Sequence, residues 1–157
     1  MHIVRLFVLL ASTVSAFAAQ SQVTAEIAPK VVWPRFPSYE AISFASEGPA
    51  YGHADSAVRG RFHRVLFINE GLAYDDPSIR LETMTYGDEG CCRKLVGAQQ
   101  FSVKELQSKG VQPPDPARTE LVFVRWHGPR EFEYKYGSLA CRLSGIGESK
   151  VTVSCQR

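Results

Sequence analysis

Four cysteines, Cys91, Cys92, Cys141 and Cys155, are the most chemically distinctive residues of this 157-residue chain. Thiols cross-link, hold soft metals or attack as thiolates, and the redox compartment selects among these fates. Cys141 and Cys155 sit on the two arms of a stretch that reads as a β-hairpin. Leu139, Cys141 and Leu143 alternate on the first arm, Val151, Val153 and Cys155 on the second, with Gly145 and Gly147 at the turn. A loop of Gly147-Glu148-Ser149 sets Ile146 opposite Lys150 and, in the same register, Cys141 opposite Cys155. Directly opposed residues lie about 4.5 to 5.5 Å apart, within reach of a disulfide. The expected bridge is Cys141–Cys155, and a one-residue slip of register would abolish it. Cys91 and Cys92 are adjacent, so on a strand they point to opposite faces. Three states stand open for them: a vicinal disulfide in a tight turn, separate bridges to the two distant cysteines, or a free thiol pair that binds a soft metal such as Cu(I).

Acid–base chemistry needs His or paired carboxylates. His53, His63 and His127 lie in the body of the chain, and a Cys–His nucleophile pair would join one of them to Cys91 or Cys92. No catalytic signature surrounds either cysteine, and a histidine within or ending a strand is ordinarily a hydrogen-bonded structural residue. The carboxylate pairs are Asp75-Asp76, Asp88-Glu89 and Glu131/Glu133. The first two fall in turn sequence, where Asp bonds its own backbone, and the third shares the polar face of a strand. The chain carries no nucleophile elbow, phosphate loop, dinucleotide fingerprint, His-Glu-x-x-His motif or calcium loop. No cofactor, metal site or catalytic residue is therefore assigned.

Recognition remains. Asp88, Glu89 and Arg93 lie in a segment that mixes acid and base around the cysteine pair, and Arg125, Trp126, His127 and Arg130 set an aromatic between arginines. Trp and Arg are the residue types that dominate binding hot spots. Either segment is equally consistent with ordinary surface.

These residues must be held by strands. Gly60–Ile68 reads as a strand, and Ile79–Tyr86 as a second, with Ile79, Leu81, Thr83 and Thr85 on one face and Arg80, Glu82, Met84 and Tyr86 on the other. Thr119–His127 is a third, and Leu121-Val122-Phe123-Val124, apolar on both faces, predicts a central position in its sheet. Glu131–Tyr136 alternates charge with aromatics, the pattern of a half-buried antiparallel strand. Ser102-Val103-Lys104-Glu105 is a capping box and Gly110 a stop, so a short helix covers about 103–109. Residues 19–57 contain Pro29, Pro34, Pro37 and Pro49 and read as an extended segment, with 46–56 as loop. Trp33, Phe36 and Tyr39 would pack this segment on the body as a strap, or dock a partner groove as a mobile arm. The expected fold is α+β, predominantly antiparallel sheet of about six strands over 58–157, with one short helix and disulfide support.

Residues 1–18 have the grammar of a secretory signal peptide: Arg5 in the n-region, an apolar run from Leu6, and small residues Ala16 and Ala18 before a cut after Ala18. The apolar run is far short of the roughly 20 residues of a spanning helix. The expected destination is the periplasm or the exterior, where disulfides persist. A net charge of +2 is too small to favour nucleic acid as partner, and no membrane span is expected. The leading expectation is a non-catalytic binding protein for a protein or cell-envelope ligand, of the inhibitor or immunity type. The alternatives are a thiol or Cu(I) protein using Cys91 and Cys92, and a small envelope hydrolase using a carboxylate pair.

Overall fold

The computed structural model describes residues 22–32, 42–51, 60–69, 77–86, 93–113 and 120–157. Within them lie ten strands and one helix: β1 (Gln22–Ile27), β2 (Lys30–Val32), β3 (Ile42–Glu47), β4 (Arg61–Ile68), β5 (Ser78–Tyr86), β6 (Arg93–Ser102), α1 (Val103–Ser108), β7 (Leu121–Gly128), β8 (Glu131–Tyr136), β9 (Leu139–Ser144) and β10 (Val151–Gln156). All pairings are antiparallel. The strands form two five-stranded sheets, in the orders β1-β10-β9-β8-β7 and β2-β6-β5-β4-β3.

The sheets face one another through period-2 alternation. On β8, Phe132, Tyr134 and Tyr136 are buried while Glu131, Glu133 and Lys135 turn outward. Phe67 of β4 meets Tyr134 edge-on with centroids 6.1 Å apart, and Phe44 of β3 stacks on Phe123 of β7 at 5.1 Å. The core between the sheets also takes Val65, Leu81, Leu143 and Val153. Helix α1 closes one end of it. Ser102 Oγ accepts from the Glu105 amide, the Glu105 carboxylate accepts from the Ser102 amide, and Val103 and Leu106 are buried. Gln107 Nε2 donates to Tyr136 Oη at 3.0 Å, tying the helix to β8.

The Cys141–Cys155 disulfide is present, between residues directly opposed in the β9–β10 ladder. Both cysteines are buried on the inner face of their sheet. This bond removes the two long bridges from Cys91 and Cys92, which themselves lie outside the described residues.

Two expectations need correction. The strands number ten among the described residues rather than about six. β1 (QVTAEI) alternates polar and apolar residues but lies in the Pro-rich stretch read as an extended segment, β3 (ISFASE) carries small and polar residues, β2 is three residues long, and a register shift between Thr83 and Met84 breaks the β5–β6 ladder where Gly97 and Val96 lie. The part of the Pro-rich segment that is described thus contributes strands to both sheets. Secondly, β7 is an edge strand, not a central one. Its second apolar face, Val122 and Val124, is exposed, and two register shifts, at Phe123/Arg125 and Trp126/Gly128, irregularly space its pairing with β8. Among the described residues no helix is long and apolar enough to cross a membrane.

Candidate functional site

Three polar assemblies emerge. The first covers the outer face of the β1-β10-β9-β8-β7 sheet. Cross-strand pairing lines up Thr24, Ser154, Arg142, Glu133 and Arg125 as one row across all five strands. Glu133 Oε2 accepts from Arg125 Nε at 3.1 Å and lies 2.9 Å from His127 Nε2. The His127 hydrogen bond, and after it the Arg125 guanidinium, hold the Glu133 carboxyl below the usual carboxylate range. Arg142 Nε pairs with Glu131 Oε1 at 3.3 Å. A depression of about 280 Å³ opens beside this row, lined by Gln22, Glu133, Ala140, Cys141, Arg142, Ser154 and Gln156. Gln22 Nε2 donates to Ser154 Oγ across it at 2.6 Å.

The second assembly plugs the end of the core opposite α1. His63 is 1% exposed. Its Nε2 is 2.8 Å from Tyr51 Oη and its Nδ1 is 3.2 Å from Thr83 Oγ1, so a neutral ring donates one hydrogen bond and accepts the other. Tyr51 stacks on the imidazole at 5.0 Å, and the Arg130 guanidinium lies over the Tyr51 ring, 5.6 Å from its centroid. The β9–β10 turn closes over His63. Gly147 has φ +84°, and a Cβ there would stand 3.1 Å from His63 Cε1. Gln99 Nε2 and Arg130 Nη1 hold Glu148 of the same turn. Burial, reinforced by Arg130 and Arg61 and opposed by a backbone hydrogen bond at Glu82, lowers the His63 pKa from 6.5 to about 4.

The third assembly lies on the opposite face of the β4–β5 ladder. Glu82 is 0% exposed, accepting from Arg64 Nε at 2.8 Å on Oε2 and from Arg80 Nε at 2.8 Å on Oε1. Arg80 Nη2 is buried and has no hydrogen-bond partner among the described residues.

The residues singled out in the sequence are therefore dispersed. Arg125 and His127 join Glu133 on the outer sheet face. Trp126, one residue between them, turns inward against Phe123 and Phe132 and donates from Nε1 to Ser46 Oγ at 3.0 Å, with Gly48 pressed on its ring. Arg130 sits over Tyr51 at the His63 end, and Arg93 pairs with Glu47 and lies over the Phe62 ring at 5.7 Å. Asp88 and Glu89 lie outside the described residues, as do Asp75, Asp76 and His53. Glu131 and Glu133, weighed as an acid–base pair, are each tied to arginines; Glu133, held anionic, lacks the raised affinity for a proton that a general acid needs at neutral pH. Sequence reasoning missed Tyr51, Arg142 and the Arg64–Glu82–Arg80 group. The only signal for the last was the alternation of Arg80 and Glu82 with Met84 on one strand face, and burial of that face is set by the fold. No family model, curated protein or solved structure matches the chain.

Proposed function

We propose that this chain is a secreted or periplasmic non-catalytic binding protein that engages a charged protein partner through the outer face of the β1-β10-β9-β8-β7 sheet. One observation carries the reading: Arg125, His127, Glu133 and Arg142 form a preassembled charge row on strands whose other faces are buried. Such a row is held in place before the partner arrives, so little side-chain ordering remains to be done on contact. The disulfide behind it, between Cys141 and Cys155, braces β9 and β10 and supports an oxidising destination. Action by occlusion, as an inhibitor or immunity protein acts, fits a shallow polar face.

The test uses charge reversal at exposed positions. Arg125→Glu and Arg142→Glu together leave the inner face untouched. Proteins cross-linked to the wild-type chain in its native envelope are compared with those cross-linked to the double variant. The expected result is one partner lost in the variant, with wild-type association slowed by added salt. An identical set of cross-linked proteins for both chains would remove this face from consideration.

A further inference from the structure

We propose that Arg80 and Arg64, gathered around Glu82 on the face of the β4–β5 ladder turned away from the core between the sheets, form a buried site for a monoanionic carboxylate. The argument starts from charge. Two guanidinium groups share one carboxylate that is 0% exposed, and the Arg80 side chain is only 5% exposed, so among the described residues the group carries one positive charge in excess, with Arg80 its buried member. A buried ion without its counter-charge is costly, and a guanidinium stays charged at any pH the protein meets. Hydrogen bonding gives the same count. Arg64 commits Nε and Nη2 to Glu82 Oε2, and Arg80 commits Nε to Oε1, which leaves the buried Arg80 Nη2 as a donor without a partner among the described residues.

The described neighbours do not fill the gap. Gln100 lies directly opposite Arg80 on β6, but its Nε2 donates to Ser78 Oγ at 2.8 Å. Leu66, opposite Arg80 on β4, and Met84, further along β5, are apolar and buried. Low polarity around a guanidinium strengthens its attraction for an anion. The Arg64 side chain, 22% exposed, connects the group to solvent. One excess charge and one unpartnered guanidinium nitrogen with two directed N–H groups match a carboxylate; a dianion would over-neutralise the group, and a spherical halide does not use directed donors.

Thermal unfolding of the intact oxidised protein reads the site. Potassium acetate is compared with potassium chloride at equal ionic strength, and octanoate is tested alongside. The expected midpoint in 100 mM acetate is higher than in chloride by roughly 5 °C, with half-effect on the order of a millimolar, the scale for so small a ligand. The Arg80→Met and Arg80→Lys variants lose this acetate increment; Lys keeps the charge without the fork, so it reads the site even if the Met variant does not fold. A half-effect at least tenfold lower for octanoate assigns a carboxylate with an apolar tail, and equal half-effects assign a free small carboxylate. Equal midpoints in acetate and chloride for the wild-type chain, or an acetate increment retained in Arg80→Lys, would overturn the proposal.

Discussion

Acid should loosen this protein measurably through His63. In the folded chain its pKa is about 4, against 6.5 for an ordinary histidine, because burial disfavours the charged ring. The groups around it reinforce that. Arg61 and Arg130 repel an imidazolium, Thr83 and Tyr51 occupy both ring nitrogens, and the turn carrying Gly147 and Glu148 closes over the ring. The unfolded chain therefore takes up the proton first. The stability that neutral His63 contributes is full above about pH 6.5 and is lost as pH falls from there toward 4. Linkage at about 1.4 kcal/mol per pH unit gives a loss of about 2.5 kcal/mol between pH 7.5 and 4.5. Urea unfolding of the wild type and of His63→Gln, stepped through that range, measures it. Glutamine stays neutral, and the carboxylates common to both chains cancel in the difference. The stability gap between the two chains is expected to shrink by that amount as pH falls. Parallel stability curves for the two chains would refute the account of a buried neutral imidazole.

Other perturbations have equally direct readouts. Replacing Cys141 with Ala opens a loop of 14 residues' separation and should lower stability by about 3 kcal/mol; an unchanged melting temperature would contradict the bridge. Tyr134 Oη is buried without a hydrogen-bond partner among the described residues, and burial pushes the hydroxyl's pKa up. Tyr134→Phe should therefore be neutral to stabilising by about 1 kcal/mol in denaturant unfolding, and a loss of more than that would reveal a partner for the hydroxyl. Gly147→Ala should destabilise by about 1 to 3 kcal/mol, since it combines a left-handed backbone with a contact on His63, and wild-type stability in that variant would mean the turn does not press on the ring.

What could be read from the sequence was what local physics determines. The capping box at Ser102 and Glu105 is a four-residue signal, and the helix starts where it says. The Cys141–Cys155 register follows from a short hairpin in which both arms alternate cleanly. β8 declared its inner face because aromatics and charges alternate without exception. β7 misled because an apolar outer face marks a central strand only when another strand or sheet covers it, and Val122 and Val124 are left exposed at an edge. The assemblies were harder still. Tyr51 and His63 are twelve residues apart in sequence, but Gly147 reaches them from more than eighty residues away, and no local pattern encodes that meeting. The Arg64–Glu82 contact likewise depends on the β4–β5 register, and the burial of Arg80 on how that sheet is covered.

The pairing of β1 with β10 sets a timetable. Gln22 lies opposite Gln156 and Ile27 opposite Val151, so β1 waits for residues more than 120 positions further along to be made before it has a strand to zip against. Synthesis runs from the amino end, and contacts this far apart in sequence form slowly. A nascent chain stopped short of Val151 leaves β1 and β9 each with a bare edge, and this sheet closes only once β10 has been made.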